Sequence, residues 1–334
     1  VAQRGTSVTG MGGSSGYITV DRFAINTNGA SAGRFTMTQT ADGPSGFANC
    51  TKLDVTTADT SIAAGERLFL EQMFEGQNLQ RIAKGTSDAQ SLTLSFYVKG
   101  NAAATYVAGF YDTDNNRQVS KQFAVTTSWN RITLTFPPDT AGAFTDDNAL
   151  SLQLRFYLHA GSNYTSGTIS ETWIAADGTK SVGSGTTSIF DSTNRTFFIT
   201  GVQLETGETA TPFEHEDFGT TLAKCQRYYN MMGADNAYSM WGATFHAGAT
   251  TGKTTVLFPV EMRAVPTLGS SAANTFALYD TSGNIALTAI SINVPNTWGT
   301  NLTVTVSSGL TGGQVSQLMA NNNADSFLEF KAEL

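Results

Sequence analysis

Histidine, the side chain most often used in acid–base and metal chemistry at neutral pH, is rare in this 334-residue chain and occurs at scattered positions. There are only three histidines, His159, His215 and His246. His159 continues an alternating strand pattern, and the neighbours Glu214 and His215 would point to opposite faces of an extended strand, which is poor geometry for a shared ion. These positions predict structural histidines, with no metal site and no cofactor.

A short polar segment, Asp112-Thr-Asp-Asn-Asn-Arg117, resembles the beginning of a calcium-binding loop, in which alternate oxygen ligands converge on one cation. Arg117 stands where such a loop needs glycine, and no glutamate follows to close the coordination. Because Asp and Asn also favour tight turns, the segment predicts a β-hairpin between two strands.

Pairs of carboxylates, such as Asp146 with Asp147 or Glu205 with Glu208, are the groups that a glycoside hydrolase needs. Any acidic protein contains such pairs, and no repeated solenoid pattern accompanies them here. We therefore expect no catalytic residues and a protein that is not an enzyme, with glycan cleavage as the weaker alternative.

The chain has four tryptophans, which could stack on the apolar face of a sugar ring. Trp129 directly precedes a strand pattern and is better explained as a packing residue. Trp173 lies in a polar, Gly-rich region, whereas Trp241 and Trp298 lie in the weakly charged C-terminal part. These three are the candidate ligand-binding residues, although packing in a core or interface is the favoured alternative for each.

Alternation of apolar and polar residues with a period of two dominates the chain and predicts β-strands. The clearest inward-facing rows are Leu92, Leu94, Phe96 and Val98; Ile132, Leu134 and Phe136; and Leu150, Leu152, Leu154, Phe156 and Leu158. Helical spacing is convincing only after Asp217, where one buried stripe would contain Leu222, Cys225, Gln226 and Tyr229 and the helix would end at or just before Gly233.

These patterns predict an all-β fold with three parts. The first is a β-sandwich domain over residues 1–216, followed by a connector helix over 217–233. The third is a second, smaller β-sandwich over 234–334, which we interpret as a tip or interaction domain.

Composition excludes several kinds of partner. The formal charge is −8 and the basic residues are scattered singly, so no basic stripe is available for nucleic acid. Apolar runs are shorter than the roughly 20 residues of a membrane span, so we expect no membrane insertion.

Only five basic and six acidic residues follow Gly219, which suits packing against symmetry copies or contact with an uncharged glycan. Because the chain begins at Val1, we expect a processed product or a fragment.

Several segments have a distinctive wording: residues 1–5, 16–23, 71–76 (Glu-Gln-Met-Phe-Glu-Gly), 92–99 and, most specifically, 199–214, which continues to Cys225-Gln-Arg-Tyr-Tyr229. Together they resemble virion proteins of tailed bacteriophages, of the tail-fibre or structural type known from marine and cyanobacterial phages. The resemblance covers about residues 1–230. It implies a jelly-roll sandwich similar to carbohydrate-binding modules and transfers no catalytic residue. Residues 258–266 and 330–334 resemble small C-terminal tip units.

The resemblance also implies a role. We expect a non-enzymatic structural protein on the virion exterior, in a tail fibre that attaches to host surface glycans. A capsid decoration or head fibre is the alternative, and a depolymerase tailspike is a weaker one. Trimeric closure would cover edge strands and the Ala/Asn/Thr-rich surface, so the expected partners are two further copies in a homotrimer, other virion proteins and a host glycan.

Overall fold

The computed structural model describes residues 1–29, 31–281 and 283–334, and antiparallel strands are its main secondary structure. The chain divides into two compact units, Val1–His215 and Glu216–Glu333. No helix in the described residues is both long enough and apolar enough to cross a bilayer. The prediction of an all-β fold is confirmed.

The first unit contains short helix α1 and strands β1 to β13. In chain order they are β1 (Ser7–Met11), β2 (Gly16–Tyr17), β3 (Phe23–Asn28), β4 (Arg34–Thr40), β5 (Cys50–Thr57), β6 (Arg67–Glu75), β7 (Leu92–Gly100), β8 (Ala104–Asp112), β9 (Arg117–Val125), β10 (Asn130–Phe136), β11 (Leu150–Ala160), α1 (Ser162–Thr165), β12 (Ile174–Ala175) and β13 (Thr196–Thr206).

These strands form two sheets, which enclose one core between them. One sheet has six strands in the order β1-β4-β5-β13-β7-β10, and the other has seven in the order β12-β9-β8-β11-β6-β3-β2. The predicted rows from Leu92 to Val98 on β7 and from Leu152 to Leu158 on β11 are buried in this core. The predicted jelly-roll sandwich is confirmed.

The segment that resembles a calcium loop forms the predicted hairpin between β8 and β9, with Asp112 paired to Arg117. Its acidic side chains have different partners. The Asp112 carboxylate binds Lys84 Nζ at 2.6 Å, whereas Asp114 accepts a hydrogen bond from the backbone N–H of Thr145. The two carboxylates therefore do not converge on one position.

The second unit contains helix α2 and strands β14 to β22. In chain order they are α2 (Phe218–Gln226), β14 (Tyr229–Gly233), β15 (Met240–His246), β16 (Thr251–Leu257), β17 (Thr267–Ser270), β18 (Phe276–Asp280), β19 (Gly283–Asn293), β20 (Gly299–Val306), β21 (Val315–Ala320) and β22 (Phe327–Lys331).

This unit differs from the smaller sandwich that the sequence predicted. Six of its strands close into a barrel in the order β15-β16-β20-β19-β18-β21, and a three-stranded sheet β14-β22-β17 accompanies it. Alternation indicates only that one face of each strand is buried, which holds equally for a sandwich and for a barrel. The pairing of β15 and β18 with β21 closes the barrel, and no local pattern shows that pairing.

The connector helix is shorter than the predicted range 217–233. Asp217 caps it by accepting a hydrogen bond from Thr220 N at 3.1 Å, but the helix ends at Gln226. Tyr229–Gly233 instead pairs as a strand with β22, and the Tyr229 hydroxyl donates to Glu329 at 2.7 Å. This strand partner lies 100 residues away along the chain, so helical spacing alone could not reveal it.

Candidate functional site

The two sheets of the first unit differ in how far their outer faces are covered. The segment after β11 packs on the seven-stranded sheet, where Val182 joins a buried cluster with Phe69, Val107 and Tyr157. Much of that face is therefore closed. The six-stranded sheet carries the more accessible set of side chains.

Strand register determines which side chains lie on the outer face of the six-stranded sheet. Phe198 of β13 is paired with Lys52 of β5 and with Lys99 of β7. Thr200 is paired with Tyr97 one step further along. Paired residues point to the same side of a sheet, so these five side chains share the outer face.

A cation lies between two aromatic rings on this face. Lys99 Nζ is 4.8 Å from the ring centre of Phe198 and 5.2 Å from that of Trp129. It also donates to both oxygens of Asp42, at 2.8 and 2.9 Å, and this hydrogen bonding lowers the pKa of Asp42. Trp129, directly before β10, is half-buried.

A second group of rings lies further along the same face. The ring centre of Phe47 is 5.1 Å from Tyr97, 5.0 Å from Phe213 and 5.1 Å from His215. Phe47, Tyr97 and Phe213 are half-buried, and His215 is exposed. Gly201 lies beneath them with a φ of +58°, and a Cβ at this position would lie 2.7 Å from the Phe47 ring. Only glycine allows the rings to approach β13 so closely.

The same glycine marks a bulge that opens the sheet. β13 pairs with β7 along most of its length, but its pairing with β5 ends at Ile199, and its register shifts between Thr200 and Gln203. A cavity of about 310 Å³ lies beside the bulge. Its lining combines apolar and polar side chains, including Phe23, Met37, Leu70, Ile199 and Phe213 with Gln39, Asn49, Thr51 and Thr200.

We call the outer surface formed by Phe47, Tyr97, Trp129, Phe198 and Lys99 the aromatic face. Phe198 is buried in this face, whereas Phe47, Tyr97 and Trp129 are half-buried and can cover the apolar side of a flat ligand. The neighbouring ammonium and carboxylate groups can hydrogen-bond to hydroxyls. Such a surface suits recognition of a ligand rich in both ring C–H groups and hydroxyl groups.

The three tryptophans predicted as ligand-binding residues are not among the residues of this face. Trp173 donates its N–H to Pro137 O at 3.0 Å and packs against the core of the first unit. Trp241, in the second unit, packs with its ring centre 5.1 Å from that of Phe276. Trp298 is also in the second unit and is 62% exposed.

The aromatic face was missed because its members come from separate segments with no shared local pattern. Phe47 lies in a loop, Tyr97 is an outward residue of β7 and Phe213 follows β13. One sequence feature could have pointed to this face. The segment 199–214, the most specific part of the phage resemblance, contains both Gly201 and Phe213.

The histidines also have separate environments. His246 is buried and hydrogen-bonded to Ser316 Oγ at 2.9 Å. His159 lies in a buried group with Asp59 and Glu66, whose ligand atoms are within 4.8 Å of one another. The sequence pattern gave no indication of this group.

No family model matches this sequence, and no curated protein matches it. Similar solved structures include the enzymatically active domain of tailspike protein 4 of bacteriophage CBA120, with 14% identity, TM-score 0.32 and coverage of 55% of this chain and 19% of that chain. A family 11 carbohydrate-binding module from Clostridium thermocellum has 9% identity, TM-score 0.32 and coverage of 60% and 96%. A family 30 carbohydrate-binding module has 13% identity, TM-score 0.31 and coverage of 65% and 89%. Likenesses this weak identify neither a family nor a function for this chain.

Proposed function

We propose that this protein is a non-enzymatic adhesion component on the exterior of a tailed-phage particle, in a tail fibre, and that its aromatic face binds host surface glycans. The virion assignment is supported by the resemblance of residues 1–230 to phage virion proteins. The glycan assignment is supported by the chemistry of the aromatic face.

One observation carries the glycan proposal. The Phe47 ring cluster and the Trp129–Lys99–Phe198 group lie on the same accessible side of one sheet. Aromatic rings stack on the C–H faces of sugar rings, while charged and polar groups beside them bind the hydroxyls. The cations Lys99 and Lys52 are each paired with a carboxylate, so the face favours an uncharged glycan over a strongly anionic one.

Binding to an array of bacterial surface polysaccharides tests this proposal. Loss of one stacking ring costs roughly 0.5–1.5 kcal/mol, so Tyr97→Ala and Trp129→Ala should each raise the Kd about 2- to 12-fold. Tyr238→Ala is the control, because Tyr238 is an exposed aromatic residue of the other unit. If Tyr238→Ala weakens binding as much as the two aromatic-face variants do, the proposed site is wrong.

Two further measurements separate this function from its alternatives. Incubation of a bound polysaccharide with the protein should leave its chain length unchanged, and shortened chains would establish a depolymerase instead. Labelling of the protein in intact particles by electron microscopy should place it on the tail. Label on the head would support a capsid decoration or head fibre.

A further inference from the structure

Three buried side chains of the first unit meet at one end of the sandwich. Asp59 follows β5, Glu66 directly precedes β6 and His159 lies near the end of β11. They are 6%, 5% and 2% exposed, respectively. One ligand atom from each residue lies within 4.8 Å of the others.

The Asp59 carboxylate is held in place by neighbouring donors. Oδ2 accepts hydrogen bonds from Ser31 Oγ and from the Ala32 N–H, both at 2.8 Å. Oδ1 accepts from the Ser61 N–H at 3.1 Å. Outer hydrogen bonds of this kind orient carboxylates that bind metal ions and leave further lone pairs free.

The imidazole of His159 is oriented in a similar way. Its Nδ1 lies 2.8 Å from Ser188 Oγ, so Nε2 faces the carboxylate of Glu66. A histidine that binds a metal ion through one ring nitrogen commonly has the other nitrogen fixed by a hydrogen bond.

The distance between His159 Nε2 and Glu66 Oε2 is 3.3 Å. A charge-assisted hydrogen bond is shorter, at about 2.7–2.9 Å. Two ligands that each lie about 2.0–2.1 Å from a tetrahedral zinc ion are separated by about 3.3 Å. The contact meets the distance limit of an ion pair, and its length is also the separation expected for two ligands of one ion.

The charge of the group favours the same conclusion. Two ionised carboxylates and one imidazole carry a net negative charge even when the imidazole is protonated. Among the described residues, no lysine or arginine forms an ion pair with Asp59 or Glu66. His159 is the only cationic partner that the described residues offer to the two carboxylates, so a net negative charge remains in a buried position, and a divalent cation would balance it.

We propose that Asp59, Glu66 and His159 bind a divalent transition-metal ion, with Zn²⁺ as the best fit and a fourth coordination position left for water, in a site that joins the end of β11 to the segment between β5 and β6. Imidazole and carboxylate ligands suit zinc, whereas calcium takes six to eight oxygen ligands. This site departs from the sequence expectation of no metal, since residues 59, 66 and 159 show no ligand spacing. It is independent of the proposed glycan binding.

The test uses the untagged full chain, stripped with EDTA and dialysed. Addition of ZnCl₂ should raise the thermal midpoint, and elemental analysis should find one zinc per chain. Co²⁺ should give the visible d–d absorption of a site with a nitrogen ligand. His159→Gln and Glu66→Gln should each lose all three responses. His246→Gln, which alters a buried histidine of the other unit, should retain them.

Several outcomes would overturn the assignment. They are an absence of zinc uptake by the wild type, a thermal shift with CaCl₂ but not with ZnCl₂, or equal responses in His159→Gln and His246→Gln. The stripping and refilling of wild-type protein need no variant, so the test holds even if a substitution prevents folding.

Discussion

Glu71 is a buried carboxylate for which the surrounding sheet supplies few donors. One oxygen accepts a hydrogen bond from Asn26 Nδ2 at 2.9 Å. Its Oε2 has no hydrogen-bond partner among the described residues. Burial raises the pKa of Glu71, and the opposing effects of Asn26, Arg155 and Arg67 do not cancel that increase. Folding therefore favours the protonated carboxyl.

The pH dependence of stability should show this effect when wild type is compared with Glu71→Gln. A carboxyl with a raised folded pKa contributes stability below its unfolded pKa, near 4.5, and loses it as pH rises through the folded value. The free energy of unfolding of E71Q minus that of wild type should therefore increase between about pH 4 and pH 7, by at most about 1.4 kcal/mol per pH unit. Urea unfolding over this range measures the difference, and a flat or falling difference contradicts the prediction.

At the scale of elements, the bulge in β13 depends on one glycine. Gly201→Ala introduces a side chain at positive φ, which costs roughly 1–2 kcal/mol, and places its Cβ against the Phe47 ring. We expect a larger loss of stability than that conformational cost, together with weaker glycan binding because Phe47 must move. Denaturant unfolding and glycan titration measure the two effects.

Gly185→Ala is the matched control for this bulge. Gly185 also has a positive φ, +81°, but nothing lies within 4 Å of an added Cβ. Gly185→Ala should therefore lose only the stability that a side chain at positive φ costs, and its glycan binding should be unchanged. Equal stability losses in the two variants would mean that the contact with Phe47 is not restrictive.

A buried lysine joins the hairpin between β8 and β9 to the loop after β10. Lys84 Nζ lies 2.6 Å from Asp112, 3.1 Å from Asp139 and 2.7 Å from the carbonyl oxygen of Gly142. Lys84→Met leaves a buried carboxylate without its cation, which should cost about 3–5 kcal/mol. The corresponding change at the exposed pair of Lys180 with Asp177, Lys180→Met, should cost less than about 1 kcal/mol. Similar losses in urea unfolding would contradict the prediction.

The strands that sequence reasoning located are those with strict alternation, such as Leu92 to Val98, because burial of one face imposes a period of two. The bulge at Gly201 breaks that period, and nothing local shows that Phe47 would pack over it. Likewise, Asp59 and His159 meet only because β11 ends beside the segment after β5. The aromatic face and the Asp59–Glu66–His159 group both depend on contacts between segments that are distant along the chain. Composition and local residue spacing do not show which distant segments meet.

At the scale of the whole molecule, the second unit exposes apolar side chains on a nearly uncharged surface. Leu257 and Val294, 76% and 73% exposed, line a groove of about 260 Å³ together with Trp298. No charged residue lines this groove. Exposed apolar patches on soluble proteins commonly mark interaction surfaces. A second copy of the chain could contact this one without bringing like charges together.

We therefore expect a homotrimer in which the groove lined by Leu257, Val294 and Trp298 is buried. Light scattering after size-exclusion chromatography should give three times the 35.4 kDa of one chain at micromolar concentration. Leu257→Asp and Trp298→Asp should shift the protein toward monomer, because each places a charge in an apolar contact. Val315→Asp is the control, since Val315 is 60% exposed but lies outside the groove. A stable wild-type monomer contradicts the trimer. If all three variants dissociate equally, the groove is not the contact between copies. If Trp298→Asp stays trimeric but loses glycan binding, Trp298 is instead a ligand contact.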